Sequence, residues 1–352
     1  MIRRYGHAIG IGILLLAFCL ASCSRSSTTS ATARDITLST RRHDGGFFSI
    51  EIPRGWQLVT AGSCSEFSFF LHDPGEPLRQ IFFFGQVGPV YTRSLQRSID
   101  QGYAALGGYP SPWLDMPLVS PLTPASFVEA LPALLQSELA RAFMPSGPRL
   151  DSAHVVASEP LPSAIPGGEA ALVRAIVDVD GRPAEGLFSI TVASLLPFSG
   201  SPGGGIGAAF LMTAVTAPKD EFPGVVDDLV DCVESFTLQD SYARDCIAQQ
   251  QETYGAILQA GKTLSETSDL IMEGWESRNE THDILSEKWS DTILGKERLY
   301  DPDTGKVYEF DLGFQDQYDR NREQYRLRNL QPLPENDYEL WTAPVLDGER
   351  HL

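Results

Sequence analysis

Apolar residues recur at two periods along this chain, and the switches between them mark out its elements. Phe48, Ile50 and Ile52 alternate with Ser49 and Glu51, which predicts a half-buried strand ended by Pro53 and turned by Arg54-Gly55. Residues 67–71 and 80–87 are Phe-rich strand candidates, with His72-Asp73-Pro74-Gly75 as the turn between them. Residues 154–159, 170–179, 186–196 and 210–216 predict further strands, and Asp180-Gly181 suits a two-residue hairpin. Helical spacing takes over at 92–106, through Leu95, Ile99 and Ala104-Ala105. It returns after Thr123-Pro124, an N-cap followed by a first-turn proline, and puts Phe127, Leu131, Leu134, Leu135 and Leu139 on one face until Pro145. A third helix over 222–236 turns Val225, Val226, Leu229, Val230, Val233 and Phe236 inward. Residues 109–124 carry Pro110, Pro112, Pro117 and Pro121 and read as an irregular crossing.

The pattern changes after residue 238. Residues 240–291 have almost no proline and are rich in Glu, Gln, Ser and Thr, which predicts one long helix. Ile257, Leu264, Ile271 and Leu285 follow a seven-residue spacing that Arg278 completes, and Gly261, Ser268, Trp275, His282 and Trp289 form a second series. Such a polar, small-residue stripe suits packing on the first domain or on a partner. Trp275 and Trp289 are the candidate partner contacts, with core packing as their other use. Arg298-Leu299-Tyr300 and residues 306–310 flank Asp301-Pro302-Asp303-Thr304-Gly305, a β-hairpin turn. Residues 313–352 predict an extended strap held by Tyr318, Tyr325, Leu330, Tyr338 and Trp341. Residues 239–352 thus form a helix-plus-hairpin module.

The opening MIRRYGHAIGIGILLLAFCLASCS has the layout of a secretory signal. Arg3 and Arg4 precede an apolar run too short to span a bilayer. Leu20-Ala21-Ser22-Cys23 resembles the lipobox of bacterial lipoproteins. The resemblance implies a signal peptide over 1–22, a thioether to diacylglycerol on Cys23 and cleavage just before it. It also implies sorting to the outer membrane, facing the periplasm, in an organism with two membranes, because Ser24 is not acidic. Residues 23–44 lack periodicity and read as a flexible tether of roughly tens of Å.

Composition narrows the function classes. A formal net charge of −19 argues against nucleic acid as a partner. Cys64, Cys232 and Cys246 remain after the signal and the lipid site, enough for one disulfide and one free thiol outside the cytoplasm. Sequence does not choose the pair, although the polar surroundings of Cys246 favour a bridge that includes it; three buried free thiols is the alternative. No histidine pair has metal-ligand spacing, and Asp301-x-Asp303 departs from a calcium loop at Gly305 and Leu312. No nucleophile motif or phosphate loop occurs, so neither metal nor cofactor is expected.

FSIEIPRGW at the start of the first domain and FLMTAVTAPKDEFPGVVDDLVDCVESF at its end resemble the Mog1/PsbP-like superfamily. That resemblance implies an α+β fold over 45–238, an antiparallel sheet flanked by helices, in proteins that mostly bind other proteins. WSDTILGKERLYDPDTGKVYEF resembles a C-terminal module of bacterial proteins of unknown function. The resulting expectation is a non-catalytic, membrane-anchored envelope lipoprotein that serves as a platform for another envelope protein. Its rivals are a small-ligand carrier, which requires an apolar cavity between sheet and helices, and a hydrolase with a scattered active site.

Overall fold

The computed structural model describes residues 37–195, 205–249 and 264–351. The signal segment, Cys23 and most of the tether lie outside the described residues, as do Ile257 and Gly261 of the two seven-residue series. Strands β1 (Thr40–Asp44) and β2 (Phe48–Pro53) open the fold, and β3 (Gln57–Ala61), β4 (Ser68–Asp73) and β5 (Glu76–Tyr91) follow as a meander. Helices α1 (Ser94–Ala105), α2 (Pro124–Leu135) and α3 (Glu138–Phe143) occupy the crossing to β6 (Ser152–Leu161). After β7 (Glu169–Val179), β8 (Arg182–Ser194) and β9 (Ile206–Pro218) come α4 (Phe222–Glu234) and β10 (Thr237–Leu238). The main sheet has seven strands in the order β3-β4-β5-β9-β8-β7-β6, all neighbours antiparallel. A second sheet runs β1-β2-β10.

The run Ile81-Phe82-Phe83-Phe84 is continuous rather than alternating because β5 is central and covered on both faces. Phe82 and Phe84 pack with Phe127, Val128 and Leu131 of α2, whereas Ile81 and Phe83 pack with Val225, Val226 and Leu229 of α4. The molecule is therefore α+β, with antiparallel sheets flanked by helices. Asp180 and Gly181 take φ of 55° and 74° between paired Val179 and Arg182, the geometry that a two-residue hairpin demands.

Several elements depart from the sequence reading. Thr40–Asp44 belongs to a strand, not to the tether: it pairs with β2 in register, and Leu38 N donates to Asp228 Oδ2 at 2.6 Å. Its polar residues hid it, because it is an edge strand that buries little. The helix expected to continue to Pro145 is two helices, because the Ser137 side chain accepts from Ala140 N at 3.2 Å and caps a new one. Helix α1 forms, but with its apolar residues outward: Leu95 is 70% and Ile99 55% exposed.

The C-terminal module comprises α5 (Asp240–Gln249), α6 (Ser265–Glu276), α7 (Glu280–Leu294), β11 (Lys296–Asp301), β12 (Lys306–Asp311), α8 (Phe314–Asn321), β13 (Gln331–Pro332), α9 (Tyr338–Trp341) and β14 (Val345–Asp347). The predicted long helix is broken where Asn279 accepts from His282 N at 3.1 Å and starts α7. The tail is not an extended strap. β13 and β14 flank the β11–β12 hairpin, and Tyr318 and Leu330 are buried with Leu299, Tyr308 and Phe310. The Tyr318 hydroxyl donates to Leu327 O at 2.9 Å and accepts from Leu330 N at 3.0 Å, fixing the turn of the tail.

Charge pairs tie this module to the sheet. Arg174 on β7 donates to Glu185 on β8 and to Asp283 on α7, and Lys219 after β9 reaches Glu287 on α7. Arg298 on β11 then bridges Glu287 and Asp291, both at 2.8 Å. Burial outweighs this pairing for Asp291 and raises its carboxyl from 3.8 to about 6, while Lys219 and Arg298 hold Glu287 below its usual range. An acid whose folded value is raised disfavours the folded state above that value. The Asp291 penalty should fade as pH falls from about 6 towards 3.8. Glu287 acts oppositely and loses its contribution only below its own lowered value. Stability is thus expected to rise between pH 7 and 5. Urea titrations of Asp291→Asn should lack that rise; a variant that keeps it would sink this assignment.

Candidate functional site: a cavity under the α2–α3 corner

The break between α2 and α3 leaves room over one face of the sheet. A cavity of about 640 Å³ opens there, within the size range of small-molecule sites. Its floor is Phe84, Gln86, Val87 and Gly88 of β5, next to the slip in the β5–β9 ladder between Val87 and Val90. Leu134 and Leu135 at the end of α2, Leu139 and Phe143 on α3, and Met116 and Met144 from the adjoining loops form the walls. The two methionines give these walls side chains that adapt to shape. Gly88 holds φ of 127°, which a side chain would strain, and an added Cβ would lie 3.3 Å from Ala208.

Polar groups contribute about as much of the lining as apolar ones. Gln86 Oε1 lies behind this surface, buried without a hydrogen-bond partner among the described residues, an arrangement that costs about 1–3 kcal/mol. Glu66, Arg141, Arg149 and Asp151 supply two charges of each sign around the cavity. Arg141 Nε donates to Gln136 O at 2.8 Å, and Asp151 Oδ2 accepts from Asp180 N at 2.7 Å, so both are partly engaged. Among the described lining residues there is no hydroxyl, thiol, imidazole or amine, and the carboxylates of Glu66 and Asp151 are the groups there that could act as base or nucleophile.

No protein-family model matches this chain, and neither does any curated protein sequence. The functional reading therefore rests on the geometry of the residues themselves.

The residues singled out from sequence lie elsewhere. Cys64 and Cys246 are joined in a disulfide, and Cys232 is a buried free thiol. Burial first, and Asp228 second, push the Cys232 thiol up to about 12, so it is inert as a nucleophile. Trp275 is 7% exposed and sits edge-on to Phe222, with Arg278 over its ring at 3.8 Å. Trp289 stacks on His154 of β6 at 4.0 Å. Trp275 thus packs on α4 and is buried, and Trp289 is half-buried on the sheet, so both contribute to docking the module on the first domain. Close approach explains the small residue beside them: a Cβ on Gly274 would lie 1.7 Å from Leu172 Cδ2. The Asp301 carboxylate accepts from Asp303 N and Thr304 Oγ1, so it shapes the hairpin turn, and no metal-binding group occurs among the described residues.

Sequence reasoning missed the cavity. Ser137-Glu138 after Gln136 has the form of a new helix start, and that was the available signal.

Proposed function

We propose that this chain is a lipid-anchored envelope protein that holds a small, largely apolar molecule in the cavity under α2 and α3. The carrying observation is a space of about 640 Å³ walled by Met116, Leu134, Leu135, Leu139, Phe143 and Met144, with charged side chains around it. The leucine, methionine and phenylalanine walls supply affinity for such a ligand, and the charged groups around them suit a polar end on it. The lipobox around Cys23 supports the address, as does a disulfide between residues 182 apart, a bond that persists in oxidising compartments. Of the two residues named as contacts for a protein partner, Trp275 is buried and Trp289 is half-buried against His154, so the cavity carries this reading instead. For residues 45–238 we retain the Mog1/PsbP-like relationship as part of this proposal, and for the C-terminal module its likeness to bacterial proteins of unknown function.

Titration with an apolar fluorescent probe such as N-phenylnaphthylamine tests the reading. The chain should saturate at one probe per molecule. Ala140→Trp, which fills the space from α3, should abolish the signal with little change in stability. Gln86→Leu should gain about 1–2 kcal/mol in stability, because it removes the orphaned acceptor. Probe binding that survives Ala140→Trp unchanged would remove the cavity from consideration.

A further inference from the structure

Helix α1 is built inside out. Its polar residues face the body: Tyr91 OH donates to Asp100 Oδ2 at 2.9 Å, Gln96 Nε2 donates to Asp100 Oδ1 at 2.8 Å, and Arg97 Nε is buried without a partner. Its outer face carries Leu95, Ile99 and Tyr103, exposed by 70%, 55% and 61%, and the chain beyond adds Leu106 at 90% and Tyr109 at 88%. No residue of α1 is buried. The spacing of Leu95, Ile99, Tyr103 and Leu106 makes a single stripe along one side. Exposed apolar residues are ordinary singly, but a contiguous row opposite a polar inner face marks a surface that meets something apolar.

We infer that this stripe lies against the surface of the phospholipid bilayer to which the chain is anchored. The inference rests on the lipid anchor proposed for Cys23. Leu38 is bonded to Asp228 and Ser39 to Arg54, which leaves residues 24–37 between Cys23 and the body. Fully extended they span at most about 50 Å, close to the roughly 50 Å breadth of a compact body of this size. A leash of that reach keeps the body beside the membrane yet lets any face turn towards it, so the face chosen is the one that lipid favours. A helix lying in the interface buries such an apolar side, and tyrosines suit the headgroup level. Arg93 and Arg97 against Asp100 leave this segment locally positive on a chain of net charge −19. A second copy is the poorer occupant, because two strongly acidic bodies repel each other over a stripe one helix wide.

The test uses the full chain with Ile99→Cys, labelled with an environment-sensitive dye and reconstituted in phosphatidylcholine vesicles. Cys232 is fully buried, Cys64 is bonded to Cys246, and Cys19 and Cys23 are replaced (Cys19→Ser, Cys23→Ser) in the arm without lipid, so none competes for the label. The dye should shift to the blue and lose most of its emission to quenchers placed at the headgroup boundary. Adding Leu106→Glu, at a position too exposed to affect folding, should reverse much of that loss. A dye that stays in a water-like environment overturns the inference. So does a blue shift that lipid quenchers leave untouched, which would assign the stripe to a second copy or another protein. Mass spectrometry of Cys23 separates the two readings. If Cys23 carries no diacylglycerol the anchor fails, and the same dye, read with vesicles added to the free chain, still decides the stripe.

Discussion

Reduction of the Cys64–Cys246 disulfide is expected to lower the unfolding free energy by about 4 kcal/mol, within a range of about 2–5. The bond joins residues 182 apart, so it restricts a large part of the unfolded chain, and the chain-entropy estimate lies near its upper end for loops of this length. The folded side of the comparison should change little. Tyr242 stacks on Phe47 at 4.2 Å, its hydroxyl accepts from Cys64 N at 2.9 Å, and Cys246 is 3% exposed within the second core. Those contacts hold α5 in place with or without the covalent link. Urea unfolding with and without reductant measures the difference, and the Cys64→Ser/Cys246→Ser pair should reproduce it without reductant. Cys232 should stay unlabelled until the global transition in both cases, because it is fully buried. A loss below about 1 kcal/mol would mean that the unfolded chain is already restricted without the bond.

How much of this molecule can be read from its residues depends on how local the cause is. The hairpin at Asp180-Gly181 and the start of α2 at Thr123-Pro124 are decided within a few residues, and both form where expected. The two-sided burial of β5 is legible in four consecutive large apolar residues. By contrast, periodicity places Leu95 and Ile99 on one face of α1 without saying whether that face turns in or out. The answer comes from Asp100 and its bond to Tyr91, a contact outside the helix. Of the seven-residue series through Trp275 and Trp289, Ser268 and Trp275 lie on α6 and His282 and Trp289 on α7, because the break at Asn279 divides it between two helices. The cavity was the least legible feature. It depends on a cap at Ser137 together with strands and loops distant in sequence, none of which announces an empty volume.

Replacing Arg174 by Met is expected to destabilise the fold by about 3–5 kcal/mol. Arg174 is 5% exposed and Glu185 3%, and their side chains meet at 2.5 Å across β7 and β8. Removing the guanidinium leaves the Glu185 carboxylate buried without a cation, and that desolvated charge carries most of the loss. The third partner has an escape: Asp283 is 22% exposed and can recover water, so Asp283→Ala should cost only about 1 kcal/mol. Arg174 also sits 5.6 Å from the Trp275 ring centroid, which links the β7–β8 pair to α6 as well as α7. If the buried charge is the cause, Arg174→Met/Glu185→Gln should regain most of the stability, because the second change removes the uncompensated carboxylate. Should Arg174→Met fail to fold, the double variant and Asp283→Ala still separate the cases by denaturant titration. Equal losses for Arg174→Met and Asp283→Ala would place the energy in the docking of the module instead. A double variant no better than Arg174→Met would place it in the packing of the arginine stem. The ordering therefore distinguishes a buried pair within the sheet from a latch between sheet and module, although one arginine serves both.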